Sequence, residues 1–177
     1  IETLVRGKTL EAFADAAEKT DRSFQAGALA MGAGIAIETM PGYLPAIYQE
    51  YPEELTEALE ELAEGRPVER VKPGTHTGGS TDVGDVQHLL PVYTFHTGGM
   101  SGGRHQSDFG IVDEEEAYIL TAKVFAVSAY RMLKDGAALA KQLKKEYHPV
   151  FASKEEYIAF MDQFRVVKEE NYGNRSL

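Results

Sequence analysis

Cysteine is absent from the 177 residues of the chain, and this absence removes several classes of chemistry. Disulfide bonds, cysteine-based zinc or iron–sulfur sites and thiol catalysis all require that residue. Any metal would therefore be held by histidine and carboxylate side chains. The chain also lacks an apolar run near the roughly 20 residues that span a bilayer. Its first ten residues, IETLVRGKTL, lack the basic and apolar regions of a signal peptide, so a cytoplasmic location is expected.

Basic side chains are also scarce. The chain has 18 lysines and arginines against 28 aspartates and glutamates, which gives a net charge of −10 and a pI near 5.0. Surfaces that bind nucleic acid or anionic lipid need clustered basic side chains, so neither partner is expected. The hydrophobic content of 43% and the length are typical of a folded protein with one domain or two small ones.

The first forty residues have the pattern of a strand, a helix and a second strand. Residues 1–6 and 35–40 alternate apolar and polar side chains, which predicts strands. Between them, apolar residues recur at spacings of three, four and seven, which predicts a helix over residues 10–31. Thr9 is placed to cap its start and Gly32 to end it. Such a unit favours parallel strands joined by a right-handed crossover.

The remaining residues predict a mainly helical arrangement with one buried strand, and hence an α/β fold. Asp113 with Glu116, and Ser153 with Glu156, have the spacing of a capping box at a helix start. The predicted helices lie at residues 52–65, 113–133, 137–147 and 153–164, the predicted strand lies at residues 89–95, and a polar, mobile tail is expected at residues 168–177.

A candidate binding region lies between Gly74 and Gly110. It contains nine of the seventeen glycines and four of the five histidines. Glycine allows the backbone to approach a ligand closely, and histidine is the commonest metal ligand and general acid or base. The four histidines are His76, His88, His96 and His105.

Each of these features also has a purely structural interpretation. A single histidine in a loop fits a surface or capping role. The STD sequence at residues 80–82 fits a turn or a helix cap, because these side chains bond to nearby backbone amides. Neither glycine pair has the ending of a phosphate-binding loop. The residues alone therefore indicate an acidic α/β domain with a candidate site in residues 76–109 and no complete catalytic set.

Two motifs, in this order along the chain, resemble a known family. GSTDVGDV at residues 79–86 and GGRHQSDF at residues 102–109 are similar to the C-terminal catalytic segment of the zinc-type aminoacylase and carboxypeptidase superfamily. The similar branch contains hippurate hydrolase and aminobenzoyl-glutamate hydrolase. The first forty residues resemble the second half of that family's lid, or dimerisation, domain. The resemblance covers about residues 1–135.

The resemblance implies a part of a two-domain α/β metallo-amidohydrolase. Residues 1–48 would be the second half of the lid domain, in strand–helix–strand order. Residues 49–167 would be the C-terminal part of the catalytic domain, followed by the polar tail at residues 168–177. A homodimer formed through the lid domain is implied as well.

The resemblance also implies a reaction and a site. Such enzymes hydrolyse the amide bond of an N-acyl or N-aroyl amino acid at a centre of two metal ions, zinc or manganese, whose bound water becomes nucleophilic. The family's last metal ligand corresponds to His105, and the loop that approaches the substrate corresponds to Gly98 and Gly99. Structural groups beneath the metal site correspond to Ser80, Thr81, Asp82 and Asp85.

The chain departs from the family in its first half. The family's early metal ligands and its general base, a glutamate, have no counterpart, and no histidine precedes Thr75. One imidazole cannot hold a metal centre that needs three or more protein ligands. The chain is therefore expected to be inactive alone and to need a missing segment or a partner chain. The alternatives are a non-catalytic binding or dimerisation module of the same fold, and an unrelated α/β domain in which the histidine- and glycine-rich segment is only a loop.

Overall fold

A computed structural model describes residues 1–76 and 78–173. They form a small α/β fold with two separate two-stranded antiparallel sheets. In chain order the elements are α1 (Leu10–Met31), β1 (Gly34–Thr39), α2 (Glu53–Ala63), α3 (Val83–Gln87), β2 (Met100–Ser101), β3 (Gly110–Ile111), α4 (Thr121–Glu146), α5 (Lys154–Asp162) and β4 (Val166–Asn171). A π-helical turn, Glu115–Leu120, leads directly into α4. None of the described helices is both long enough and apolar enough to cross a membrane.

The chain divides into two compact units. Unit 1 comprises residues 1–47, 76–90 and those from 149 onward, and unit 2 comprises residues 48–75 and 91–148. Unit 1 contains α1, α3, α5 and the β1–β4 sheet, whereas unit 2 contains α2, α4 and the β2–β3 hairpin. The predicted division into a lid domain and a catalytic domain describes a complete enzyme. The two units of this chain do not test it, so it stays a prediction.

Helix α1 of unit 1 has the predicted bounds and caps. The Thr9 side chain accepts a hydrogen bond from the backbone N–H of Ala12 at 3.2 Å, which satisfies one of the free donors at the helix start. At the other end Gly32 takes the left-handed conformation, with φ 59°, that glycine adopts without strain. The prediction for residues 10–31 is confirmed.

The sheet of unit 1 corrects the predicted strand pairing. β1 forms as predicted, but it pairs antiparallel with β4, with Gly34 opposite Asn171 and Thr39 opposite Val166. Residues 1–6 form no strand, so the predicted parallel unit is wrong. An alternating sequence forms a strand only where a neighbouring segment offers N–H and C=O partners. For β1 that neighbour is β4, not residues 1–6. Residues 168–171 thus belong to a strand, and residues 174–177 of the predicted mobile tail lie outside the described part.

A row of aromatic rings forms much of the interior of unit 1. Phe13 on α1 lies 5.1 Å from Phe164, which lies 5.3 Å from Phe160 on α5. Phe160 in turn lies 5.1 Å from the buried Phe151, all as distances between ring centroids. These tilted and edge-on contacts are the geometries that aromatic quadrupoles favour. The row joins α1 to α5.

Helix α5 starts at the predicted capping box. The Ser153 side chain accepts a hydrogen bond from the N–H of Glu156 at 3.1 Å. The Glu156 carboxylate reaches back and accepts one from the N–H of Ala152 at 2.7 Å. The predicted start of this helix is confirmed, and the helix ends at Asp162, two residues earlier than expected.

Unit 2 is built on two helices. Leu55 and Ala58 of α2 and Val124 of α4 are buried, so α2 packs against α4. The Asp113 carboxylate caps the π-helical turn by accepting a hydrogen bond from the N–H of Glu116 at 3.0 Å. α4 contains non-helical backbone at residues 134–137, where the sequence predicts one helix to end and another to begin.

The predicted buried strand at residues 89–95 is wrong. Leu89 and Leu90 close a turn after α3, and residues 91–99 have no regular structure. The composition of this segment suits a strand, but a strand needs a neighbour for its N–H and C=O groups. Within the described chain no strand pairs with it.

Candidate functional site

The GSTDVGDV motif forms the turn that leads into α3. The Thr81 hydroxyl donates to the Asp82 carboxylate at 3.1 Å and accepts a weaker bond from the N–H of Val83 at 3.4 Å. The Thr81 carbonyl accepts the N–H of Gly84 at 3.1 Å. Ser80, Thr81 and Asp82 are exposed. Their contacts are those of a helix-entry turn, as side chains of these types commonly make.

The second half of the motif joins α3 to the rest of unit 1. The Asp85 carboxylate accepts hydrogen bonds from the N–H of Leu44 at 3.4 Å and from the Tyr157 hydroxyl at 3.1 Å. Gly84 lies so close to this segment that a Cβ atom would be 2.2 Å from the Leu44 carbonyl oxygen. Burial raises the pKa of Tyr157, and the charge and hydrogen bond of Asp85 raise it further, so the phenol stays protonated at neutral pH.

Two buried polar residues follow the motif: Gln87, which sequence reasoning missed, and His88, which it had listed only among the histidines of the candidate region. The Gln87 side chain accepts a hydrogen bond from the N–H of Ile47 at 2.9 Å. His88 is 3% exposed, and its Nδ1 lies 2.8 Å from the carbonyl oxygen of Gly84. Its ring faces Phe151 at 5.9 Å. The one available signal was the four-residue spacing from Gly84 to His88, which suits a side chain bonding back along a helix. These contacts and its burial indicate a structural role for His88.

The second motif forms the loop of the β2–β3 hairpin. The loop is closed by a hydrogen bond from the N–H of Gly103 to the Asp108 carboxylate at 3.3 Å. A Cβ atom at Gly102, where φ is 89°, would lie 2.3 Å from the Asp108 carbonyl oxygen. His105 lies in the turn with φ 63°, is exposed, and has no hydrogen-bond partner among the described residues. The hairpin therefore presents one free imidazole.

Close contacts surround the glycine pair before the hairpin, and those with main chain require a glycine at Gly99. Gly99 has φ 81°, and its carbonyl accepts the N–H groups of Val112 at 2.9 Å and Asp113 at 3.2 Å. A Cβ atom on Gly99 would lie 2.5 Å from the Asp113 carbonyl oxygen, and one on Gly98 would lie 2.7 Å from the Glu116 carboxylate. These contacts fix the base of the hairpin against the start of the π-helical turn.

A cavity of about 380 Å³ lies in unit 2 beside this glycine pair. Gly98 borders it, together with His96 and Thr97. Arg66 and Glu116 also line it, and the distance between Arg66 Nη1 and Glu116 Oε1 is 3.5 Å. The volume lies at the lower end of the range of small-molecule sites.

Tyr51 borders the same cavity as a neutral phenol. Its hydroxyl donates a short hydrogen bond to the Thr94 carbonyl, and its ring meets that of Tyr93 at 5.3 Å. Burial raises the pKa of Tyr51 to about 12, and the neighbouring Tyr93 adds to the shift. The phenol is therefore a hydrogen-bond donor and not a base at neutral pH.

The structure distributes the predicted site residues over both units. Ser80, Thr81, Asp82 and Asp85 belong to unit 1, whereas Gly98, Gly99 and His105 belong to unit 2. Among residues 1–76 and 78–173, no group of three or more histidine, aspartate or glutamate side chains is arranged to hold a metal ion. His105 thus remains a single candidate ligand.

Comparisons of the chain with protein-family models, with curated proteins and with solved structures found no match.

Proposed function

We propose that this chain is the C-terminal part of a metal-dependent amidohydrolase that cleaves the amide bond of N-acyl or N-aroyl amino acids, such as aminobenzoyl-glutamate. The observation that carries the proposal is the β2–β3 hairpin. It presents the exposed imidazole of His105 in a loop in which Gly102 is required by its close contact with the Asp108 backbone. The order of the two motifs along the sequence supports the same function.

The metal would supply a water molecule made nucleophilic at neutral pH. His105 would be one ligand to a centre of two zinc or manganese ions. The described residues alone do not fit a complete metal centre, because such a centre needs at least three protein donors. The other ligands and the general base would come from another segment or a partner polypeptide. The isolated chain is accordingly expected to be inactive.

The remaining predicted residues would hold parts of the chain in place and would take no part in the chemistry. Gly99 holds the hairpin close to the π-helical turn, and Gly98 borders the cavity of unit 2, where a substrate would approach the backbone. Asp85 would keep α3 in place through Leu44 and Tyr157. None of these groups exchanges a proton in the proposal.

The test compares the complete protein, loaded with zinc or manganese, with its His105→Ala variant. Bound metal per chain and hydrolysis of hippurate and p-aminobenzoyl-glutamate are measured. We expect the variant to lose bound metal and about a hundred-fold or more of its activity. His76→Ala, an exposed histidine outside the hairpin, is the matched control and should change neither. Unchanged metal content and hydrolysis in His105→Ala would overturn the role of His105.

A second candidate function is assembly without catalysis. It is favoured by the exposed apolar side chains Leu29, Met31 and Met40 on the α1–β1 part of unit 1, which residues 1–48 would use to form a homodimer. Sedimentation equilibrium tests it: the chain should be dimeric, and a Leu29→Lys, Met31→Lys variant should be monomeric. A monomeric parent chain that supports metal-dependent hydrolysis in the complete protein would exclude this candidate.

A further inference from the structure

The cavity of unit 2 is lined partly by apolar and partly by charged side chains, the latter being Arg66, Glu69, Arg70 and Glu116. Its walls are formed by side chains of α2, of residues 66–71, of the segment before the glycine pair, and of the π-helical turn with α4. They include Leu59, Ala63, Phe95, Leu120 and Val124. The apolar part of the wall binds an apolar group and excludes a charged one, because burying an unpaired charge is costly.

Two of the charged side chains, Arg66 and Glu116, face each other. The Nε–H of Arg66 donates to the Ala63 carbonyl at 2.9 Å, which fixes the guanidinium and leaves its terminal nitrogens facing Glu116. The single contact between them, at 3.5 Å, is longer than a close charge-assisted hydrogen bond. The Arg66 guanidinium and the Glu116 carboxylate therefore each keep hydrogen-bonding capacity that their mutual contact does not use. The Glu116 carboxylate also lies against Gly98, where any Cβ atom would displace it.

A hydroxyl group, that of Thr97, lines the same cavity as these charges. The hydroxyls of Thr97 and Thr121 are 2.5 Å apart, and the Thr121 hydroxyl donates to the Ala117 carbonyl at 2.7 Å. The Thr97 hydroxyl is therefore the donor to Thr121, and its lone pairs remain available to an N–H group. This arrangement adds one acceptor to the cavity that Glu116 also lines.

These groups together define one class of ligand. A carboxylate would pair with Arg66, an ammonium group would pair with Glu116 and Thr97, and an apolar side chain would fill the cavity. A simple anion would be repelled by Glu116, and a simple cation by Arg66. We infer that the cavity binds a free α-amino acid with a large apolar side chain, such as leucine or phenylalanine.

The zwitterion does not require the Arg66–Glu116 pair to separate. Its two charged groups can lie beside the pair with opposite charges adjacent, so that each head gains a partner. The inference is independent of the proposed hydrolysis, since it uses neither a metal nor His105. An experiment that refutes amino-acid binding therefore does not refute the proposed hydrolysis, and the reverse also holds.

Isothermal titration calorimetry on the unmodified chain tests the inference without relying on variants. L-phenylalanine and L-leucine should each bind at one molecule per chain. N-acetyl-L-phenylalanine lacks the ammonium group and L-phenylalaninamide lacks the carboxylate, so each should bind at least about ten-fold more weakly. L-glutamate should bind as weakly, because its side-chain carboxylate would lie among the apolar side chains, and Arg70 in the cavity wall is already paired with Glu60 at 2.5 Å. Absence of binding up to about 10 mM L-phenylalanine and L-leucine, or equal binding of all the analogues, overturns the inference.

Variants then locate the site. Arg66→Gln and Glu116→Gln should each weaken L-phenylalanine binding by at least about ten-fold. Arg165→Gln is the matched control, because Arg165 pairs with Asp162 at 3.2 Å on the surface of unit 1, and it should bind as the parent does. Circular dichroism checks that each variant is folded. Undiminished binding by both cavity variants would place the amino acid elsewhere and refute the assignment.

Discussion

Gly84 is a residue whose replacement the structure tolerates poorly. A Cβ atom there would lie 2.2 Å from the Leu44 carbonyl oxygen, which is main chain and cannot turn aside. We expect Gly84→Ala to lower the free energy of unfolding by about 3 kcal/mol, because overpacked interiors must shift backbone. Gly27→Ala is the contrasting variant: nothing lies within 4 Å of its Cβ position on α1, so it should raise stability by about 0.5–1 kcal/mol. Urea unfolding measures both, and equal effects would contradict the close contact.

Tyr51 makes the free energy of unfolding depend on pH in the alkaline range. Its pKa in the folded chain is about 12 against an ordinary value of 10, so the folded state favours the neutral phenol. Its contribution is therefore complete below about pH 10 and is lost as the pH rises through about pH 12. The loss should be well below the roughly 2.7 kcal/mol that two pKa units represent, because the ring is partly exposed and solvent screens it.

The matched variant for this prediction is Tyr51→Phe, which removes the hydrogen bond to the Thr94 carbonyl. We expect it to be less stable than the parent by about 1 kcal/mol at neutral pH. The difference should shrink between about pH 10 and about pH 12, since only the parent then loses a proton on unfolding. Urea unfolding of both proteins across this range is the measurement, and a constant difference would show that the Tyr51 phenol does not titrate as stated.

At the scale of elements, α3 holds its place through one carboxylate. Asp85 bonds both Leu44 and Tyr157, from two other segments of unit 1. We expect Asp85→Ala and Tyr157→Phe each to reduce stability, and the double variant to lose about 1 kcal/mol less than the sum of the two. A double-mutant cycle by urea unfolding measures this coupling. Strict additivity would mean that the Asp85–Tyr157 bond contributes nothing in solution.

Helix ends could be predicted from the sequence more successfully than strands. Thr9, Asp113 and Ser153 cap the helices at which their spacing placed them, because capping depends on residues three positions away. The strands expected at residues 1–6 and 89–95 did not form, since a strand also depends on a distant neighbour that local alternation does not identify.

For the same reason, only part of the candidate site could be predicted from the sequence. His105 and the glycine pair follow from motif spacing, so their segment could be identified in advance. The pairing of Arg66 with Glu116 joins residues 50 positions apart through tertiary contact, and no local pattern contains it. His88 fits either a ligand or an interior residue by type. Only its 2.8 Å contact with Gly84 and its burial place it in the interior.

At the scale of the whole molecule, unit 2 leaves large apolar side chains exposed. Tyr118, Tyr130 and Leu133 are 57%, 66% and 64% exposed. Contiguous exposed apolar side chains commonly mark a surface that another polypeptide covers, which supports the proposal that this chain needs a partner segment.

The last prediction follows from that exposed surface. The native chain should enhance the fluorescence of the dye 1-anilinonaphthalene-8-sulfonate, which binds exposed apolar patches. Its urea m-value should be smaller than that of compact proteins of equal length, because m scales with the surface newly exposed on unfolding. Replacing Tyr130 and Leu133 by Gln should reduce the dye signal while changing stability by less than about 0.5 kcal/mol per site, since both are mainly exposed. A native chain with no dye enhancement and a full m-value would show that these side chains are covered in solution.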